Sequence, residues 1–189
     1  MKQTVGFALC GSFCTYRKTI DALRTLAEDY TVIPIFSEAG YTIDSRFGTA
    51  EAFRNEVETI CGANALHTIA EVEPFGPKKL LDLLIVAPCT GNTLGKLANG
   101  VADSPVTFAC KAHLRNGRPI VLAISTNDGL SASAENIGKL LNRKHYYFVP
   151  FGQDSPTGKP YSLVADMGLI SETAAAALRG EQVQPLLLK

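Results

Sequence analysis

Leu83-Leu84-Ile85-Val86-Ala87 is the run that most restricts what this chain can fold into. Five apolar residues in a row, with no polar residue alternating, predict a strand buried on both faces. A chain covers such a strand by alternating strands with helices, so that helices lie on either side of a parallel sheet. The rest of the sequence reads that way. Residues 4–9 and 31–36 form apolar runs, with Pro34 favouring an edge or a bulge because it has no N–H to give. Residues 119–124 and 146–149 complete the strand set. Between them, Ile20, Leu23, Leu26 and Ala27 recur at helical spacing over residues 16–29. Ser45 or Thr49 is placed to cap a helix reaching about residue 60.

Residues 64–73 are ambiguous, and Pro74, Gly76 and Pro77 break the chain before a short helix. The apolar run at 83–87 stops at Pro88. Helices follow at about 92–99, ending at Gly100, and at about 106–114, starting behind Pro105. Two more are expected at 132–141 and 169–178. The Gly- and Pro-rich stretch 151–161 reads as loop, and the residues past 178 as a polar tail. The expected fold is therefore an α/β, flavodoxin-like (Rossmann-like), doubly wound parallel sheet in three layers. It forms a single domain over 1–189, with a core at about 4–150. In such sheets ligands sit beyond the carboxyl ends of the strands, near the switch in strand order. The loops after Leu9, Phe36, Ala87 and Ile124 should then converge on one crevice.

Composition narrows the partners. The 189 residues suit one α/β domain, and 46% hydrophobic content is enough for a sizeable core. Eighteen basic residues balance eighteen acidic ones, which argues against nucleic acid as the main ligand. The five cysteines, Cys10, Cys14, Cys61, Cys89 and Cys110, are odd in number and contain no CxxC pair. They read as reduced thiols of a cytoplasmic protein, and Cys10 and Cys14 read as packing residues. No His or further Cys completes a metal set with them, so no metal site is expected. The first apolar run is too short for a signal peptide, and no stretch approaches a membrane span.

Chemistry concentrates in three loops. In Cys10-Gly11-Ser12-Phe13-Cys14-Thr15, the glycine lets backbone approach a ligand, and the start of the next helix favours an anion. Ser12 and Thr15 add hydroxyls, so a phosphate fits; a capped tight turn fits as well. There is no GxGxxG fingerprint and no GxxxxGK[ST] loop. Ser37 follows the second strand, which should lie beside the first. In Pro88-Cys89-Thr90-Gly91-Asn92-Thr93, amide and hydroxyl groups could meet the donors and acceptors of a flavin edge. The same Thr90 and Asn92 could simply cap a helix.

The seventeen residues from Pro88 to Ser104 resemble the Pro-Ala-Ser-Ala-Asn-Thr motif and its Ala-Asn-Gly-Ile-Ala-Asp continuation. Those motifs belong to the homo-oligomeric flavin-containing cysteine decarboxylase superfamily, and the likeness runs from about Val5 to Pro150. The resemblance implies bound flavin mononucleotide (FMN). Gly11, Ser12, Phe13 and Ser37 would serve at the phosphate. Pro88, Thr90, Asn92, Thr93, Ser125 and Asn127 would contact the flavin or phosphate, and Asp103 would be a structural or interface residue. It also implies a homo-oligomer.

The sequence departs from the decarboxylases in one loop. Where they carry Pro-Ala-Met-Asn, this chain has Ile124-Ser125-Thr126-Asn127-Asp128-Gly129-Leu130, with only Asn127 retained and no cysteine. His67 is the candidate for their upstream histidine, a surface or core histidine being the other reading, and about five extra residues, Glu73 to Pro77, separate it from the strand at 83–87. Pro-Cys-Thr-Gly-Asn-Thr, the stretch from Lys111 to Pro119 and the Asn127 loop together resemble the branch formed by the B subunits of dipicolinate synthase. That resemblance implies oxidation of a dihydrodipicolinate-type ring to pyridine-2,6-dicarboxylate during sporulation. It further implies the A subunit of dipicolinate synthase as partner, a Rossmann-like chain bringing NADP. A dicarboxylate calls for Arg or Lys. Arg17, Lys18, Arg115, Arg118 and Lys159 are candidates, with Lys159 first, in a covering loop; His67, Asn127 and Lys159 are the catalytic candidates. Two alternatives stay open: an FMN-dependent decarboxylase of the same superfamily, or a non-catalytic partner of the NADP-binding chain.

Overall fold

Strand β1 (Thr4–Leu9) leads into α1 (Tyr16–Asp29) and β2 (Thr31–Phe36), which returns parallel to β1. The computed structural model describes residues 2–188. Pro34 sits opposite Phe7 on β2, and β2 is the sheet edge, where a missing N–H leaves no ladder partner unpaired. Three helices follow: α2 (Glu38–Thr42), α3 (Ala50–Cys61) and α4 (Ile69–Val72). Thr49 caps α3 by accepting a hydrogen bond from the Ala52 N–H. Of the two capping candidates, then, Thr49 is the one used.

β3 (Leu83–Cys89) pairs parallel to β1 on the side away from β2. Next come α5 (Gly91–Ala98), α6 (Pro105–Leu114), β4 (Ile120–Thr126), α7 (Ala134–Leu141) and β5 (Tyr146–Phe148). The five parallel strands stand in the order β2-β1-β3-β4-β5, the flavodoxin-like order expected for a doubly wound sheet. The order reverses at β1 and β3, which opens a crevice beyond their carboxyl ends. α1 and α8 (Ile170–Leu178) pack together as one helical layer, and α5, α6 and α7 form the other. All seven residues of β3 are buried, as a central strand covered on both sides requires.

The structure departs from the sequence reading in four places. The apolar run does not stop at Pro88: β3 continues through it to Cys89. The register against β4 shifts between Val86 and Cys89, an irregularity that accommodates a residue with no N–H. No helix stands between Pro77 and β3. The short helix α4 precedes the break, fixed by a reciprocal capping box between Thr68 and Glu71. Stretch 151–161 is not loop. It forms β6 (Phe151–Ser155) and the start of β7 (Lys159–Ala165), an antiparallel hairpin. β7 continues the sheet by pairing antiparallel with Ser125 and Thr126 at the end of β4, so the seven-stranded sheet is mixed. The hairpin turn is held by the Gly158 N–H donating to Ser155 Oγ. The tail is also less polar in role than in composition. The Leu188 N–H donates to the Phe151 carbonyl, and the Phe151 N–H to that of Leu186.

Candidate functional site

At the carboxyl end of β1 the chain turns through Gly11 into the first turn of a helix. Neither Ser12 nor Thr15 caps this helical start with its side chain. A 3-10 turn over Phe13–Thr15 leads into α1, with the Thr15 and Tyr16 N–H groups donating to the Ser12 and Phe13 carbonyls, so no side chain supplies an acceptor at this helical start. The hydroxyls gather beside it instead. Ser12 Oγ lies 2.7 Å from Ser125 Oγ, and Thr15 Oγ1 donates to the Ser12 carbonyl at 2.9 Å while lying 3.4 Å from Ser125 Oγ. Ser125 comes from the end of β4, so two strand tips meet in one hydroxyl cluster. A cluster of neutral donors next to an uncapped helix start is a donor set for a phosphate or other oxyanion.

The cluster forms one end of a cavity of about 510 Å³. That size falls within the several-hundred-Å³ range usual for small-ligand sites. Ser12, Lys18, Ser125, Asn127, Lys159 and Met167 are among its lining residues. The β6–β7 hairpin walls it on the side away from α1. Of the residues singled out from the sequence, Ser12, Ser125, Asn127 and Lys159 are thus brought together.

The others lie around this centre. Gly11 borders the first turn of α2: a Cβ on Gly11 would stand 3.2 Å from Ala39 Cβ. Phe13 leans on Tyr16, ring centroids 5.3 Å apart. Ser37 caps α2 by accepting from the Gly40 N–H at 3.1 Å, which leaves its own proton free to donate. It is tied to β1 through its N–H and the Leu9 carbonyl but does not line the cavity. Pro88 is buried within β3. Thr90 caps α5 at the Thr93 N–H, and Thr93 Oγ1 donates to Cys10 Sγ at 3.3 Å. Asn92 is exposed on α5, outside the cavity lining. Asp103 pairs with Lys96 at 2.8 Å.

His67 is placed elsewhere. Its ring stacks on Tyr41 at 3.8 Å, and Arg54 also lies over the Tyr41 ring, 4.6 Å from its centroid. Its Nδ1 is 3.6 Å from Glu71, whose carboxyl is held below its usual range chiefly by the His67 N–H and the Thr68 hydroxyl. Arg17 is engaged by Glu56, and Arg118 by Asp82 and the Lys79 and Leu81 carbonyls. Cys10, Cys89 and Cys110 are buried, and burial pushes the Cys10 thiol up to about 11. Cys14 is exposed rather than packed, on the cavity wall.

The sequence reading missed one polar cluster. Asp128 Oδ1 accepts from Thr126 Oγ1 at 2.5 Å and from Ser133 Oγ at 2.8 Å. Those hydroxyls, Thr126 first, hold its carboxyl below the usual carboxylate range. The cluster fills the space beside Gly91, the first residue of α5. Thr-x-Asp followed by Ser five positions on was the available signal, since Asp and Ser in such turns bind local groups. Among the described residues no group of His, Cys, Asp and Glu is arranged to hold a metal ion, and no helix is long and apolar enough to cross a membrane.

Residues 1–178 match the Flavoprotein family. The chain belongs to that family. Within it, the chain is 42% identical to the B subunit of dipicolinate synthase from Bacillus subtilis (strain 168), over 99% of this chain and 94% of the relative. It is thus a homologue of that protein. The crystal structure of the corresponding B subunit from Bacillus halodurans superposes with a TM-score of 0.91 at 44% identity, covering 100% of this chain and 99% of that one. The FMN-dependent cysteine decarboxylase SpaF shares the fold, with a TM-score of 0.66 at 21% identity over 93% of this chain and 97% of its own.

Proposed function

We propose that this flavoprotein-family chain is the B-type subunit of a dipicolinate-forming oxidoreductase, working as one domain with an FMN-type pocket. The observation that carries the cofactor reading is the Ser12–Thr15–Ser125 hydroxyl cluster beside the uncapped start of α1. Those residues fit a phosphate: they offer several donors, and no carboxylate is hydrogen-bonded to them. Gly11 allows close backbone approach, and Ser37 keeps a free hydroxyl proton on the adjoining loop. Bound FMN supplies a two-electron acceptor for a dihydropyridine ring that gains aromaticity on oxidation. The chain's own part is to bind and orient. Asn127, on the cavity wall, offers both a donor and an acceptor amide to a ring edge.

The homology to a B subunit supports a partner chain; NADP on that partner and a homo-oligomer belong to the same reading. The setting in this reading is cytoplasmic, from the cysteines read as reduced thiols.

FMN titration tests the cofactor. Flavin fluorescence should be quenched on binding, and the Ser12→Ala, Ser125→Ala double variant should bind FMN about tenfold more weakly, as expected for lost hydrogen bonds to a charged group. Riboflavin, which lacks the phosphate, should bind both proteins equally. No quenching with FMN, or equal losses for both ligands, refutes the phosphate assignment. Co-expression with a candidate NADP-binding partner, followed by assay of dihydrodipicolinate oxidation with and without FMN, tests the reaction.

A further inference from the structure

The hairpin end of the cavity differs from the hydroxyl end. Lys159 Nζ, at the start of β7, lies 2.6 Å from Asp154 Oδ2 on β6, and both residues line the cavity. Lys18, from the first turn of α1, lines the same space, and no carboxylate lies within ion-pair distance of it among the described residues. Two cations, Lys159 and Lys18, thus line one cavity. Asp166, the other acid on the wall, caps a short helical turn, its Oδ1 accepting from the Gly168 N–H at 3.0 Å.

The Lys159–Asp154 pair is exposed, with 61% and 37% of the two side chains accessible. Exposed pairs contribute little, since both ions are well hydrated when apart. A ligand carboxylate that reaches Lys159 and a second cation at once has the advantage over a single tethered one. Buried Leu163 and Met167 give the same cavity an apolar wall for a flat ring. From this arrangement we infer that Asp154 is a resident stand-in for a ligand carboxylate. A small ring dicarboxylate displaces it from Lys159, places its second carboxylate toward Lys18, and is held there by the hairpin. Lys159 and Lys18 are then specificity-determining residues, and Asp154 is a competitor built into the site. The choice of a ring dicarboxylate rests on the function proposed above; the displacement of Asp154 rests on the hairpin itself.

The two hairpin residues predict opposite effects, which a merely structural pair would not give. Calorimetric titration of the full chain, in buffer free of divalent cations, compares pyridine-2,6-dicarboxylate, pyridine-2-carboxylate and inorganic phosphate. The dicarboxylate should bind about tenfold tighter than the monocarboxylate, the usual gain from one further charged hydrogen bond. Lys159→Met should abolish that preference. Asp154→Asn should tighten dicarboxylate binding by about two- to fivefold, the range expected when an exposed ion pair no longer competes. Circular dichroism melting confirms that each variant folds. No dicarboxylate binding, no preference over the monocarboxylate, equal binding of phosphate, or weakening by both variants would overturn the assignment. FMN binding, read in the same variants by fluorescence, should be unchanged. If FMN fails to bind while the two variants still move dicarboxylate affinity in opposite directions, the cofactor reading falls and this assignment stands.

Discussion

Two glycines inside helices should respond to alanine in opposite directions. Gly91 opens α5, and a Cβ there would lie 2.7 Å from Thr126 Oγ1 and 2.8 Å from both Asp128 Oδ1 and Ser133 Oγ. These are ends of short side chains already bound to one another at 2.5 and 2.8 Å, so none can swing aside alone. Overpacking of this kind costs about 1–3 kcal/mol. Breaking one hydroxyl–carboxylate bond adds about 1.5–3 kcal/mol before water compensates at this half-buried site. Against that stands a helix-propensity gain below about 1 kcal/mol. Gly91→Ala should therefore lose about 2–3 kcal/mol net, lowering the urea midpoint by about 1 M for a slope near 2 kcal/mol/M. Gly138 lies within α7, exposed, and a Cβ there meets nothing within 4 Å. Gly138→Ala should gain about 0.5–1 kcal/mol. Urea unfolding followed by circular dichroism reads both. A Gly91→Ala protein as stable as the parent would show that the Asp128 cluster yields freely, and the packing argument would fail.

Acid should act through His113. Its Nε2 lies 3.0 Å from the Pro119 carbonyl and so carries the proton, its Nδ1 is buried without a partner, and burial lowers its pKa to about 4. Between pH 6.5 and 4 the unfolded chain takes up a proton that the folded chain refuses, so stability falls with acid by up to about 3 kcal/mol. His113→Gln should lose less stability than the parent between pH 7 and pH 4.5, whatever its absolute stability; parallel urea midpoints would contradict this. The Tyr16 hydroxyl is buried with no hydrogen-bond partner. Tyr16→Phe should raise stability by about 1 kcal/mol, and a clear loss in thermal unfolding would show that the hydroxyl is satisfied in solution.

The parallel sheet could be read because its signals are local. β1, α1 and β2 begin and end where apolar periodicity changes, and the run at 83–87 has the composition of a doubly covered strand. The hairpin could not, because its evidence is tertiary. Gly152, Pro156, Gly158 and Pro160 crowd one stretch, and pairing with β6 and with the open edge of Ser125 and Thr126 turns residues 159–165 into a strand. The site was legible where one loop carried its own chemistry, as with Ser12. That Ser125 closes against Ser12 across 113 residues was not, since no spacing rule links two strand tips. Asp128 was passed over because its partners are a threonine and a serine, which read as turn formers.

The Asp128 cluster also bears on which way round an anionic ligand would lie. Two helices begin on this rim, and each start is weakly positive. α5 already has a capping hydroxyl on Thr90 and the molecule's own carboxylate alongside Gly91. α1 has neither. On the proposed reading, the start of α1 rather than that of α5 would take the anionic end of a ligand, which fixes the direction in which the ligand would lie across the crevice.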